Sequence, residues 1–200
     1  IDSGIFYPPG PEKRKQKKQV SIISTRNLYN IYNLDLLVEA APRILGGVDA
    51  RFILCGDGPE RKRIEKRISE LGLSDRFTLC GRIGADKLAD KLRESDIYIS
   101  TSSSDSTSVS LLEAMACGVF TVVTDLAGNR EWIEDGVNGI IMESNDPEEL
   151  AEKVIKSVVD RHGMEEAIRK NLQIIRERGL WETNMEKAEM AMMKLLEGKS

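Results

Sequence analysis

The chain has 200 residues, 40% apolar and 31% charged, with a net charge of −4, a soluble globular profile with ample core. That length suits one sizeable α/β domain or two very small ones, and the charge balance gives no reason to expect a nucleic-acid partner. The longest apolar runs are strand-sized, so neither a transmembrane helix nor a signal peptide is expected, and Cys55, Cys80 and Cys117, with no CxxC pair and a single His, read as buried reduced thiols of a cytoplasmic protein rather than a zinc site.

In chain order, "IDSGIFYPPGPEKRKQKKQ" opens with prolines and a basic run from Lys13 to Lys18, which is linker composition. Residues 1–18 are therefore assigned to an interdomain linker, and the chain is expected to be a fragment lacking an N-terminal partner domain. The basic run reads as a solvated linker, with a membrane-surface or anion patch as the alternative. Strand-like runs then alternate with helical spacing. Strands are expected at 20–25, 50–56, 76–81, 96–101, 120–125 and 139–142, and helices at 34–45, 59–72, 85–95, 108–117 and near 128–134. Pro59 suits a first helical turn, and Arg61–Glu65 and Lys66–Glu70 are i,i+4 pairs. After Asp146, an N-cap followed by Pro147, only helices follow, over 147–161, 164–178 and 181–197. The alternation predicts a doubly wound, Rossmann-like parallel sheet over residues 19–180, with a C-terminal helix over 181–200.

In such a sheet, ligands sit at the carboxyl ends of the strands. The loops there hold Arg26, Gly56 and Gly58, Gly81–Gly84, and Thr101–Ser110. The pair Gly56 and Gly58 in "CGDGPE" can cradle a phosphate on backbone amides or simply make a tight turn; Arg61 stands where a nicotinamide fingerprint needs its third glycine. Arg26 can meet a phosphate with its fork or pair with a neighbouring acid. In "DSTSVSLLEAMACG" an acid, Asp105, precedes Ser106, Thr107, Ser108, Val109 and Ser110, and a second acid, Glu113, lies eight positions on. One hydroxyl, Thr107 or Ser108, is needed as N-cap; the rest is surplus to capping. First-turn amides bind anions, and a carboxylate one to two turns in accepts hydrogen bonds from the vicinal hydroxyls of a ribose. Together they describe a sugar nucleotide. Asp135, Gly136, Asn138 and Gly139 read as turn chemistry, His162 as a surface loop residue, and the methionines and Trp181 of the last helix as core-facing or as cover for surface bared by the absent domain.

With these pieces in order, the chain resembles the C-terminal, donor-binding domain of the retaining GT-B-fold glycosyltransferases, the glycosyl transferases group 1 or family four. The motifs that carry the likeness are "GDGPER", "DRFTLCGRI", "LLEAMACGVFTVVTD" and "GNREWIEDGVNGIIMESNDPEELAE", and it spans "IDSGIFYPP" to about Asp146. The resemblance implies transfer of a sugar from a nucleoside diphosphate sugar to an acceptor, with retained configuration, no metal and no cofactor. The acceptor site would lie in the absent domain, so the fragment alone is expected to bind donor weakly without turnover. It implies that Arg26 contacts the diphosphate, that the backbone near Arg82 and Ile83 receives the base, and that Glu113 holds the ribose. Asp105 would contact the sugar hydroxyls, with Ser106, Thr107, Ser108 and Val109 supplying amides or hydroxyls.

Two departures stand out. Asp105 occupies a position where the family usually carries Glu, one methylene longer. The Lys that the family places about five residues after the Arg is missing, since positions 30–33 read Asn-Ile-Tyr-Asn. Tyr32 or Asn33 donates a neutral hydrogen bond in its stead, or the second cation comes from elsewhere. The competing readings are a catalytically silent sugar-nucleotide sensor, a GT-B-fold sugar-nucleotide epimerase, and a phosphorylase, for which no pyridoxal Lys motif is seen. A cytoplasmic location, with membrane-peripheral contact as an option, is the accompanying expectation.

Overall fold

The structure is a computed structural model and describes residues 1–10, 19–106 and 108–197, the last three without their side chains. The basic run and Thr107 lie outside the described residues. Six strands, β1 (Val20–Ser24), β2 (Ala50–Cys55), β3 (Phe77–Gly81), β4 (Ile97–Ser100), β5 (Phe120–Thr124) and β6 (Ile140–Met142), form one sheet in the order β3-β2-β1-β4-β5-β6. Every neighbouring pair is parallel, as between β1 and β2, where Val20 faces Ala50 and Ser24 faces Leu54. This is the doubly wound architecture the alternation predicts. Strands β1, β4 and β5 are buried at every position, which explains their near-continuous apolar runs rather than an in–out alternation.

Helices cover both faces. On one lie α1 (Leu34–Gly47), α2 (Arg61–Glu70) and α6 (Pro147–Val159); on the other, α3 (Ala85–Arg93) and α4 (Val109–Ala116). Helix α1 buries Leu34, Leu36, Leu37, Val38, Ala40, Ala41 and Ile44 against the sheet, and each large aliphatic side chain so buried contributes about 1.5–3 kcal/mol. The short α5 (Ala127–Arg130) follows β5, and α7 (Arg161–Ile174) runs through a π-helical turn at Ile175–Gly179 into α8 (Trp181–Glu197).

Local chemistry behaves largely as expected. Asp146 caps α6 by accepting from the Glu148 amide at 3.0 Å, with Pro147 in the first turn, and the Arg61–Glu65 and Lys66–Glu70 pairs form at 2.8 and 3.5 Å. Four expectations are corrected. Pro59 lies in the turn before α2, which starts at Arg61 once the loop has docked on the Leu28 carbonyl. His162 is on the exposed first turn of α7, not in a loop, because Asp160 caps that helix earlier by accepting from Gly163. Helix α8 is not core-facing: Trp181 is 64% exposed, and Met185, Met190, Met192 and Met193 are also exposed. The turn before β6 is more than turn chemistry, because the Asn138 side chain is buried and pairs with Asn171 of α7 at 2.8 Å. Residues 1–10 pack onto the domain: Phe6 enters the core, and Arg93 donates to the Ile5 carbonyl at 2.9 Å and stacks on the Tyr7 ring. The cysteines are free, Cys55 and Cys117 buried and Cys80 half-buried. Among the described residues no helix is long and apolar enough to cross a membrane.

Candidate functional site

The strand order reverses between β1 and β4, since β1 leads outward to β2 and β4 leads the other way to β5. A crevice opens at such a switch point, outside the carboxyl ends of the strands. Arg26 follows β1 and the Asp105–Glu113 stretch follows β4, so the two loops that chemistry nominated face each other there.

The loops are tied together by their own hydrogen bonds. A 3-10 turn at Asn30–Tyr32 follows Arg26, and the β4 loop grips it: Thr101 Oγ1 donates to the Tyr32 carbonyl at 2.9 Å, and the Ser103 amide and hydroxyl donate to the Ile31 carbonyl at 2.8 and 3.0 Å. From the β5 side, Thr124 Oγ1 donates to the Ser102 carbonyl at 2.6 Å. These short polar residues in "STSSS" hold one loop backbone to the next along the crevice wall.

Arg26 is the centre of the site. It is buried, and its Nη1 donates to Ser108 Oγ at 3.0 Å while its Nη2 donates to Asp105 Oδ2 at 2.5 Å. The guanidinium lies 4.3 Å from the centre of the Tyr32 ring. The structure therefore brings Arg26, Asp105 and Ser108 into direct contact. It also sets the Tyr32 ring against the guanidinium, an interaction worth about 0.5–2 kcal/mol. Of the two readings open to it, the structure shows the pairing with an acid of the neighbouring loop.

Around this cluster, polar atoms are buried without partners. Arg26 Nε, Ser24 Oγ, Thr25 Oγ1 and the Tyr98 hydroxyl make no hydrogen bond among the described residues. Tyr98 is fully enclosed, which pushes its phenol pKa up, with Arg26, Ser100, Ser108 and Thr25 beside it acting in the opposite direction.

Ser108 is the N-cap of α4, accepting from the Leu111 amide at 3.3 Å while also receiving Arg26. Among the described residues the amides of Val109 and Ser110 are unclaimed, so the first turn points free donors and the positive helix end at the crevice. Val109 itself is exposed. Glu113 stands one turn further in and is half-buried, and burial pushes its pKa up to about 7, opposed by the charge of the N-terminal ammonium. A carboxyl so perturbed is a functional candidate.

The glycines have a mechanical explanation. A Cβ on Gly56, whose φ is +150°, would come 2.6 Å from the Arg26 carbonyl oxygen, and one on Gly58 would come 2.3 Å from that of Leu28. The β2 loop thus presses on the Arg26–Leu28 backbone and sets its height, a tight turn in the service of the Arg. Arg82 is exposed and Ile83 half-buried against the α3–α4 core; among the described residues no contact joins Arg82 to the Arg26 cluster. Ser106 is exposed, and its carbonyl meets Gly128 of α5, where a Cβ would come within 1.4 Å.

Sequence reasoning missed Tyr98 and Gly128. The signals were a phenol in the otherwise aliphatic "DIYIS" and a glycine shortly after β5 in "LAGNR". No group of three or more His, Cys, Asp or Glu side chains is placed to hold a metal among the described residues.

The sequence profile of the glycosyl transferases group 1 family matches residues 10–173, and the chain belongs to that family. It is 30% identical over 165 residues to the N-acetyl-alpha-D-glucosaminyl L-malate synthase of Bacillus anthracis, an alignment covering 80% of this chain and 43% of that one. It is 26% identical over 159 residues to a phosphatidylinositol N-acetylglucosaminyltransferase subunit of Arabidopsis thaliana, covering 79% of this chain and 35% of that one. The chain thus spans less than half the length of these relatives. In fold it matches the C-terminal domain of a glycosyl transferase group 1 family protein from Francisella tularensis (TM-score 0.80, 20% identity, 90% of this chain and 99% of that one). It also matches an Anabaena protein solved with UDP and glucose (TM-score 0.83, 22% identity, 96% of this chain and 55% of that one). The chain is therefore glycosyltransferase material with the architecture of a GT-B C-terminal domain.

Proposed function

We propose that this chain is the donor-binding part of a retaining glycosyltransferase that moves a sugar from a nucleoside diphosphate sugar to an acceptor without a metal. The observation that carries the reading is that Arg26, bonded to Ser108 at the α4 cap, meets the unclaimed first-turn amides of α4 at the switch-point crevice, with Glu113 one turn further along the same helix. In the transfer, the bond from the anomeric carbon to the β-phosphate oxygen breaks, and negative charge grows on the departing diphosphate. Arg26 and the α4 amides meet that charge with fixed donors in a sheltered crevice, where a single donor is worth about 10²–10³ in rate. Glu113, when ionised, accepts from the two ribose hydroxyls, and the backbone near Arg82 and Ile83 receives the base. The relatives named for N-acetylglucosaminyl transfer and the neighbour solved with UDP and glucose support a nucleotide-sugar donor. The acceptor would be bound by a further domain, with membrane-peripheral contact through the basic run as an accompanying reading.

The test is calorimetric titration of the chain with UDP, GDP and ADP, alongside Arg26→Ala and Glu113→Ala. One nucleotide is expected to bind, and each substitution to weaken it by roughly tenfold or more, the loss of one charge-assisted contact. Undiminished binding in both variants would sink the assignment.

A second reading is a sugar-nucleotide-binding module without turnover. It is favoured by one observation, the Tyr32 ring standing over Arg26 where the resemblance calls for a second cation. Assay of sugar transfer by the full gene product separates the two.

A further inference from the structure

Asp105 stands in this structure on the group that is to hold the diphosphate. Its Oδ2 lies 2.5 Å from Arg26 Nη2, and both side chains are largely withdrawn from water, at 18% and 8% exposure. Arg26 is enclosed on its other sides as well: Ser108 Oγ takes Nη1 at 3.0 Å, and the Tyr32 ring covers a face at 4.3 Å. A guanidinium so walled in presents a limited set of donors, and the carboxylate occupies one of those that an incoming phosphate oxygen would claim. The shorter acid has a geometric reason here, since the Asp105 carboxylate already reaches a guanidinium that the Ser108 hydroxyl anchors from the neighbouring helix cap.

From this geometry we infer that Asp105 is a positioning residue and the internal counter-ion of Arg26. It holds the guanidinium in the crevice while the site is empty, and it is displaced when a diphosphate takes its place. Asp105 and the anion then compete for one guanidinium edge. A buried ion pair of this kind has already lost its hydration, so the exchange of one oxyanion for another avoids exposing an unpaired buried cation at any stage. Displacement also frees a carboxylate beside the newly bound anion, and like-charge repulsion drives it away from that anion. The inference rests on the reading of Arg26 as an anion site and assigns Asp105 a role that comes before any sugar contact.

The experiment uses inorganic pyrophosphate as probe and the 200-residue chain, whose fold is shared by a domain solved in isolation. Pyrophosphate affinity is measured by calorimetry for wild type, Asp105→Asn and Asp105→Ser, at 0.1 M and at 1 M NaCl, with thermal unfolding of each variant. Competition predicts tighter pyrophosphate binding in both variants, roughly fivefold or more, retained as a ratio at high salt. It also predicts a lower Tm without anion, which saturating pyrophosphate restores toward wild type. A gain that disappears at 1 M NaCl, where the screening length is about 3 Å, would mean diffuse repulsion and would overturn the inference. Weaker or unchanged pyrophosphate binding in both folded variants overturns it as well. The outcome is separable from that of the proposed function: loss of UDP recognition is read from Glu113→Ala, which has no part in the pyrophosphate comparison.

Discussion

Two buried polar clusters among the described residues are built in opposite ways. Beside β6, the Asn138 amide donates to the Trp132 carbonyl and to Asn171 Oδ1, each at 2.8 Å, and its oxygen accepts from the Glu134 amide at 2.7 Å. Asn171 returns a bond to the Asn138 carbonyl at 2.8 Å. That cluster is closed: donors meet acceptors, and nothing is left for a ligand. At the carboxyl ends of β1 and β4 the cluster is open, with Arg26 Nε, Thr25 Oγ1, Ser24 Oγ and the Tyr98 hydroxyl all buried without a partner among the described residues. Trp132 Nε1 and Thr121 Oγ1 are also buried without a partner among the described residues, so the contrast lies in how many such groups gather around Arg26, and unpaired buried groups call for an explanation where they gather.

The sharpest way to break the contrast is to open the closed cluster. Asn138→Leu strands Asn171 Oδ1, the Glu134 amide and the Trp132 carbonyl, and should cost about 2–4 kcal/mol of stability in urea unfolding while leaving nucleotide affinity intact. A loss of affinity with no loss of stability would show the closed cluster to be part of the site.

Glu113 provides a test of intermediate size. Its folded pKa is raised from 4.5 to about 7 by burial. Between those pH values the native state holds a proton that the unfolded chain has released, so this group lowers stability as pH rises through that window. The penalty is absent below pH 4.5 and complete above pH 7. Allowing for partial solvent exposure, Glu113→Gln should stabilise the protein by about 1–2 kcal/mol at pH 8 and leave it unchanged at pH 4. Nucleotide affinity in wild type should rise from pH 6 to pH 8 as the accepting carboxylate forms, a dependence the Gln variant lacks. Equal effects at both pH values would mean that the carboxyl is ionised throughout.

The smallest effect is expected in the open cluster itself. Tyr98→Phe removes a hydroxyl that has no partner among the described residues, so stability should move by less than about 0.5 kcal/mol, in contrast to the cost at Asn138. A loss above about 1 kcal/mol, the worth of a typical hydrogen bond, would mean that the phenol is bonded in solution and the cluster is closed.

Much of the fold is legible in the chain because a parallel sheet buries both its faces. Runs such as "VSIIS" and "FTVVT" must then be apolar throughout, and the helices between them must carry one apolar face. The candidate residues Arg26, Asp105, Ser108 and Glu113 are legible as well, because strand ends followed by helix starts are where polar residues surplus to capping stand out. The boundaries are less so. Pro59 and His162 fall elsewhere than the local pattern predicts, because the docking of a loop on Leu28 and the cap from Asp160 decide where α2 and α7 begin. The exposed face of α8 carries the pattern of a buried one, since an apolar pattern shows that a face avoids water without saying whether this chain covers it.

What the sequence determined by itself is a local matter: hydrophobic period, caps, turns and the kinds of residue at the strand ends. Only the tertiary structure decided that Arg26 pairs with Asp105, that Tyr32 covers it, and that Gly56, Gly58 and Gly128 are small because other backbones press on them. The bonds from Arg26 join residues 82 and 79 positions apart. Periodicity is carried by neighbours along the chain, whereas pairing across a crevice depends on strand order, and strand order is a property of the packed sheet alone.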